Sequence, residues 1–437
     1  MILFGAAGFV IGFTMIGVGS SISAKVNYGN YNPVVLFTTP VIFGLITLIL
    51  IISGITRLLI NKFKSDYKLW SILGADSTQL AVLIGVQMGL MGMVGGFFGY
   101  FLAYPVVKKF YYWVRTNPGM TKFPMIDMKM QLSSLIITMI VLGLMIGILG
   151  LISARKIFSN IRHGHVLIKR VLLVLTWIWI TAVYSGTIYV YSLFFKEPRS
   201  LMELFRSPTL ENTYLQLLLV LIILMIMTIN NSERIILPIL VKSLSSWYPV
   251  KMIKTFQTAY WNVLEKREFL RNVTFPIFIF SLISSFFMYL AFDLANISTK
   301  RSLSEIFGTL TLFLGAPFLI ILANVISLTM ISSAERSSNA NLLNILGFTV
   351  KDLLFEKGIE ASIYSVIVFI QGTIGNAILY IPILQASYYT HTQMKDGWFS
   401  ITWIPMSAGI IVFVFIWFVD GFYIFKKIGM NNRKFTT

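Results

Sequence analysis

Apolar residues run along this chain in long stretches that short polar and basic segments interrupt. One stretch, LLLVLIILMIM at 217–227, is apolar on every face of a helix. Runs of about 20 such residues, the length that spans the hydrocarbon core of a bilayer, recur along the sequence. A transmembrane β-barrel would instead show segments of about 10 residues with alternating polarity. The pattern therefore predicts an all-α polytopic membrane protein.

The apolar stretches predict ten membrane spans. They cover residues 2–20, 34–60, 80–104, 131–154, 170–195, 213–231, 272–294, 309–332, 357–382 and 399–425. Most of the 35 Lys and Arg residues fall in the segments that share one side with the N-terminus. Because positive charge favours the cytoplasmic side, we expect both termini in the cytoplasm. The cysteine-free composition, rich in Lys, Asn and Ile, favours a bacterial cytoplasmic membrane.

Composition then removes several classes of function. The net charge is +18, but the basic residues flank spans, where they face anionic lipid headgroups, so no nucleic acid is needed to explain them. The absence of cysteine excludes disulfides, thiol catalysis and cysteine-ligated metals. His163 and His165 lie in a basic loop without an acidic neighbour, and His391 is far away in the sequence. We therefore expect no metal site, and we find no catalytic cluster.

Two similar segments lie far apart in the chain: KLWSILGADSTQL at 68–80 and NLLNILGFTVKDL at 341–353. A shift of 273 positions carries Gly74 onto Gly347 and lays the first four predicted spans on the last four. This correspondence indicates an internal duplication of two parallel four-helix units joined by two further spans. The predicted domains are a first repeat at 1–156, a two-span connector at 157–250, and a second repeat with a leading elbow helix at 251–437.

Each segment predicts a short helix, a tight break and then a span. Leu69, Ile72 and Leu73 have the spacing of one helical edge, and Gly74 can adopt the left-handed conformation that ends a helix. Asp76 and Gln79 have the spacing of a capping box, as do Thr349 and Asp352 in the second copy. An ordinary interfacial elbow is the alternative interpretation of one copy. Two matched copies on the same side favour a site that is used twice.

On these residues the chain resembles the FtsX-like or MacB-like permeases of ABC transporters. The resemblance rests on the two ILG turns, on the basic segment SARKIF at 153–158, and on Glu360 and Gln87, where that family often has an acidic residue. The ten-span layout is similar to the Bce-type antimicrobial-peptide resistance permeases. The resemblance implies that the turns dock into separate ATPase subunits. The implied coupling residues are Leu69, Ile72, Leu73, Gly74, Leu342, Ile345, Leu346, Gly347 and Glu360.

The remaining residues fit a permease that is powered by protein contact. No G-x-x-x-x-G-K-[ST] motif is present, so we expect no cofactor in this chain, with ATP and Mg bound by the partner. Two turns imply two ATPase subunits per permease. Arg57, Glu360 and Asp420 fall near cytoplasmic span ends, so the spans are expected to lack the buried charges of ion-coupled transporters. Asn324 and the pair Gln371 and Asn376 are expected to form hydrogen bonds between helices.

Small residues recur at four-residue spacing in the third and fourth spans. Such spacing lets helices approach closely, either for simple tight packing or for a pair of helices that slides when ATP binds. The predicted packing residues are Gly85, Gly89, Gly92, Gly96, Gly99, Gly143 and Gly147. The loops at 21–33 and 295–308 are too short for the large extracellular domain of the family. The basic, aromatic segment 105–130 is expected to lie on the outer leaflet.

Three functions remain open from the sequence. The first is the permease subunit of an ABC transporter for an amphipathic substrate, such as a peptide, a lipid-linked molecule or a lipoprotein. The second is a regulator or immunity protein that does not transport and uses the same mechanotransmission. The third is an integral membrane transferase, for which we find no catalytic cluster.

Overall fold

A computed structural model of the chain describes residues 1–24, 33–62, 67, 69–70, 72–116, 124–159, 166–199, 201, 210–244, 254–297, 303–390 and 399–434. The regular elements within these ranges are helices, without a strand. In chain order they are α1 (Ile2–Ser23), α2 (Pro33–Lys62), α3 (Ser77–Thr116), α4 (Leu132–Ser159), α5 (Val166–Leu193), α6 (Leu210–Leu244), α7 (Lys254–Glu265), α8 (Arg267–Ile297), α9 (Leu303–Ile345), α10 (Val350–Tyr389) and α11 (Phe399–Lys434).

Within the described ranges, nine helices are long and apolar enough to cross a membrane. They correspond to nine of the ten predicted spans. The other predicted span, 34–60, falls on α2, a helix of 30 residues that contains the shorter apolar stretch Gly44–Thr56. The prediction of an all-α polytopic membrane protein is therefore confirmed, whereas the repeat arrangement and the domain boundaries stay predictions.

The two helices that follow the ILG turns are unusually long. α3 and α10 each contain 40 residues, and the shift of 273 positions that relates the turns also relates the bounds of these helices. At 1.5 Å per residue, each helix is about 60 Å long, roughly twice the thickness of the hydrocarbon core. Each helix is therefore longer than a crossing of the hydrocarbon core requires.

The length of α3 corrects one prediction from the sequence. Residues 105–116 continue α3 as helix, with Pro105 inside it, rather than forming a loop, while the place of this segment at the outer leaflet stays a prediction. Residues 124–131 then return to the helix: the Tyr111 hydroxyl donates to the Pro124 carbonyl at 2.7 Å, and the Tyr100 hydroxyl donates to the Gln131 carbonyl at 3.0 Å. Burial of Tyr100 and Tyr111 against Ile126 holds the extension in place.

By their packing, the residues form two units. The first contains residues 1–165 and 299–327, and the second contains residues 166–298 and 328–437.

In the first unit, α3 packs against α1 and α4. The backbones are so close that a Cβ atom on Gly99 would lie 2.3 Å from the carbonyl carbon of Gly8, and one on Gly95 would lie 2.6 Å from that of Phe4. Only glycine fits such a crossing.

The other predicted packing glycines line the contact between α3 and α4. A Cβ atom on Gly89 would lie 3.1 Å from the carbonyl oxygen of Gly143, and one on Gly147 would lie 3.2 Å from that of Gly85. Gly92 and Gly96 face the same helix, against Leu142 and Met139. The small residues therefore lie where the backbone of α3 comes close to that of α1 and that of α4.

In the second unit, α10 packs against α6, α7, α8 and α11, and α5 packs against α6. Two of the three side chains that were predicted to form hydrogen bonds between helices do so here. The Asn376 amide donates to the Ser281 hydroxyl of α8 and to the Ile401 carbonyl of α11, both at 3.2 Å. The Gln371 amide donates to Glu233 of α6 at 3.5 Å. Buried amides thus connect α10 to three of its neighbours.

Candidate functional site

The two ILG turns have the same backbone geometry. We call the residues Leu69, Ile72, Leu73 and Gly74 the first turn, and Leu342, Ile345, Leu346 and Gly347 the second turn. Within the described ranges, the glycines with positive φ are Gly74, at +98°, and Gly347, at +89°. This conformation is the one that ends a helix at low cost only when the residue lacks a side chain.

Backbone hydrogen bonds close each turn in the same way. In the first turn the Ala75 amide donates to the Trp70 carbonyl at 3.0 Å, and in the second the Phe348 amide donates to the Leu343 carbonyl at 3.0 Å. Both bonds run from the residue after the glycine to the third residue inside the helix end, which is the Schellman pattern. The turns are therefore built as defined helix ends rather than as open loops.

Caps then start the long helices. After the second turn, at the start of α10, the Thr349 amide donates to Asp352 at 2.9 Å and the Asp352 amide donates to the Thr349 hydroxyl at 3.3 Å, which completes the predicted capping box. After the first turn, at the start of α3, the Asp76 amide donates to the Gln79 side chain at 3.0 Å. The second predicted box is therefore complete, and at the first the bond to the Gln79 side chain caps the start of α3.

The apolar side chains of both turns point outward. The six Leu and Ile side chains of the first and second turns are between 57% and 81% exposed. The inner side of each turn is packed. The Tyr67 ring lies 5.8 Å from Phe158 at the end of α4, and Leu343 and Phe348 pack on Leu353 and Ile424. Each turn is thus an exposed apolar edge on a fixed base.

Glu360 does not share the exposed edge. It is fully buried in α10, where the Lys357 ammonium lies 2.7 Å from one of its carboxylate oxygens and the Tyr364 hydroxyl donates to the other at 3.1 Å. Gln87, at the matching position of α3, is exposed. Glu360 therefore lies beneath the second turn, inside the helix that the turn begins.

Glu356 completes a buried group that we call the ion cluster: Glu356, Lys357 and Glu360. The Lys357 ammonium lies 3.2 Å from Glu356, whose same oxygen accepts a hydrogen bond of 2.7 Å from the Asn262 amide of α7. This group was missed in the sequence because its charges lie near a span end. The signal was the spacing EKGIE at 356–360, which places both carboxylates on one helical face with the lysine beside them.

The ion cluster and its neighbours correct another prediction. The second unit contains a further ion pair, in which the partly buried Arg271 guanidinium lies 3.2 Å from the buried Glu233 carboxylate and also donates to the Asn230 side chain. The expectation that the spans lack buried charges is therefore wrong for the described part of this unit. The buried charged residues there are Glu233, Glu356, Lys357, Glu360 and Asp420.

The described residues contain no group of three or more His, Asp or Glu side chains placed to hold a metal ion. His163, His165 and His391, the histidines considered above as metal ligands, lie outside the described residues. The chemistry that the structure brings together is thus apolar contact at the turns and ion pairing beneath the second turn.

Comparison of the chain with models of protein families, with curated proteins and with solved structures finds no match. The fold and the composition define the class, a multi-pass α-helical membrane protein.

Proposed function

We propose that this chain is the permease subunit of an ABC transporter of the FtsX-like type, with a layout similar to the Bce-type permeases. It couples ATP hydrolysis by separate subunits to the export, extraction or detoxification of an amphipathic substrate. The observation that carries the proposal is the pair of turns, which share backbone geometry and each present three exposed apolar side chains on a rigid base.

An exposed apolar edge of this kind is suited to docking into a protein groove. Three Leu or Ile side chains that are mostly exposed in the free chain would contribute about 3–6 kcal/mol per turn when a partner buries them, before the costs of association. A fixed turn loses little conformational entropy on binding. Each turn therefore has the features of a binding hot spot.

Movement at a turn is transmitted because the turn and its helix are one piece. The Schellman bonds end the short helix, and the capping bonds begin α3 or α10 directly after it. A partner that pulls on the turn therefore moves a helix about 60 Å long. In the first unit this helix contacts α1 and α4 through glycines, which present smooth faces for displacement.

In this proposal the partner subunit binds and hydrolyses ATP. The sequence contains no Walker A motif, so ATP and Mg bind to the ATPase, and two turns take two ATPase subunits. Both turns must then face the cytoplasm, as must both termini, in a bacterial cytoplasmic membrane. The substrate enters from the bilayer or its outer surface, where an amphipathic molecule concentrates.

The test is co-purification of the full chain, in lipid nanodiscs, with co-expressed candidate ATP-binding cassette ATPases, any that is encoded next to its gene being tried first. We expect two ATPase subunits per chain. The double variant Leu73→Asp with Leu346→Asp should lose at least about tenfold in bound ATPase, because a carboxylate cannot be buried unpaired in an apolar groove. The matched control, Leu73→Met with Leu346→Met, keeps apolar side chains of similar volume and should bind as the parent does.

Two results would overturn the proposal. One is a parent chain that retains no ATPase. The other is an Asp double variant that elutes as a folded protein and still binds the ATPase and stimulates its turnover as the parent does. Transport is then measured separately, by following a fluorescent cationic amphipathic peptide in proteoliposomes with ATP and without it.

A further inference from the structure

The short helix α7 packs against the beginning of α10, the helix that follows the second turn. Its buried residues include Ala259 and Val263, both fully buried. The Phe256 ring packs edge-on against Phe355 of α10, with ring centres 6.0 Å apart. One residue further along α10, Glu356 accepts the 2.7 Å hydrogen bond from Asn262. α7 and the N-terminal part of α10 thus share both an apolar and a polar contact.

The polar contact is fixed from within α10 by the ion cluster. The Lys357 ammonium lies between the two carboxylates, at 3.2 Å from Glu356 and 2.7 Å from Glu360, and all three side chains are buried. A buried carboxylate held in this way cannot turn toward another donor without leaving its lysine. Breaking a hydrogen bond to a buried carboxyl group is costly, because its partners are then left without water to replace the bond. The Asn262 amide is therefore held in one position on α10.

The first turn has no such cluster on its own helix. The positions of α3 that match Glu356, Lys357 and Glu360 after the shift of 273 are Leu83, Ile84 and Gln87. None of these side chains can be ionised, and Gln87 is exposed. The two turns therefore have the same exposed edge but differ beneath it.

We propose that the hydrogen bond from Asn262 to Glu356, fixed by Lys357 and Glu360, makes α7 and the second turn move as one body. The inference rests on the proposed function, because it concerns how movement imposed at the second turn spreads into the chain. Asn262 and Glu356 are positioning residues: they set the place of α7 relative to the turn. The two docking sites are then mechanically unequal, since α3 has no matching ion cluster.

The test measures the distance between α7 and the second turn in the full chain without any ATPase. The sequence contains no cysteine, so two introduced cysteines carry the only spin labels. Trp261 and Leu346 are exposed and serve as the labelled positions, as Trp261→Cys and Leu346→Cys. Pulsed electron–electron double resonance in nanodiscs then gives the distribution of distances between the two spin labels. We expect one narrow distribution for the parent pair.

Asn262→Ala should broaden this distribution at least about twofold, because it removes the polar contact between the helices while leaving the ion cluster complete. The matched control is Gln257→Ala, which removes an exposed amide from the same helix and should leave the distribution unchanged. Asn262→Asp should also broaden the distribution, because it places two carboxylates in contact.

A rescue separates the specific bond from a general role in stability. The double variant Asn262→Asp with Glu356→Gln exchanges donor and acceptor and should restore the narrow distribution. The inference is overturned if the parent distribution is already broad, if Asn262→Ala leaves it unchanged in protein that elutes as folded, or if the exchanged pair does not restore it. These distances are measured without a partner, so failure to bind an ATPase would refute only the proposed function.

Discussion

Removal of the Lys357 ammonium from the ion cluster is expected to destabilise the second unit strongly. In Lys357→Met, Glu356 and Glu360 lose the cation that lies 3.2 Å and 2.7 Å from their oxygens, while both carboxylates stay buried. Breaking a buried ion pair by deleting one partner costs about 3–5 kcal/mol, because the remaining charge is uncompensated. Two carboxylates share this cation, so we expect a loss at the upper end of that range.

Neutralising the whole cluster should remove most of this penalty. The triple variant Glu356→Gln, Lys357→Met and Glu360→Gln keeps the shape of each side chain and leaves no buried charge in the cluster. Replacing a complete buried ion pair by neutral groups of similar volume is often neutral or stabilising. The Asn262 amide still finds an acceptor, since the Gln side chain at position 356 has a carbonyl oxygen.

The assay is thermal unfolding in nanodiscs. After heating to each temperature, the folded protein that remains is measured by size-exclusion chromatography with detection of tryptophan fluorescence. Lys357→Met should lower the unfolding midpoint clearly, and the triple variant should return it close to that of the parent. Lys351→Met, which removes an exposed lysine from the same helix, is the matched control and should have no effect. Lys357→Met that is as stable as the parent, or a triple variant that is no more stable than the single one, would contradict this expectation.

Two further outcomes follow from the glycines. In Gly99→Ala the new Cβ would lie 2.3 Å from a backbone carbon of α1, so we expect a loss of about 1–3 kcal/mol and a lower unfolding midpoint. Gly5→Ala, whose Cβ would meet nothing within 4 Å, is the matched control and should be neutral or stabilising. Gly74→Ala and Gly347→Ala force a side chain into positive φ at a cost of about 1–2 kcal/mol, so the amide after each glycine should exchange hydrogen about 5–30 times faster by mass spectrometry. Asn at either position tolerates this conformation and should show a smaller effect.

Each of these predictions has a contrary result. If Gly99→Ala matches Gly5→Ala in unfolding midpoint, the close crossing of α1 and α3 does not hold the first unit together. If hydrogen exchange at the turns is unchanged in the Ala variants, the turns do not need the left-handed conformation, and the argument from their rigidity falls.

Local features of this fold could be predicted from the sequence. The spans follow from the length of apolar runs, and the two turns follow from a helical edge ended by glycine and a cap, all within about a dozen residues. The structure shows positive φ at Gly74 and Gly347 and the complete capping box at Thr349. Both depend on residues close together in the chain, where propensity and hydrogen bonding act directly.

Features that depend on distant residues could not be predicted. Pro105 and the lysines after it are typical of a loop, yet α3 continues because Tyr111 is buried against residues 124–131. The ion cluster needs Asn262, which is 94 residues from Glu356 in the sequence. A charged residue near a span end has the same local pattern whether water or a neighbouring helix receives it, so only the tertiary structure distinguishes the two cases.

The length of α3 and α10 has a geometric consequence. A straight rod of about 60 Å that pivots by about 10° at one end displaces its other end by roughly 10 Å. Each of these helices begins directly after a turn, and its far end lies about 40 residues away. A small angular change imposed at the turn would therefore become, at the opposite end, a shift as wide as a helix is thick.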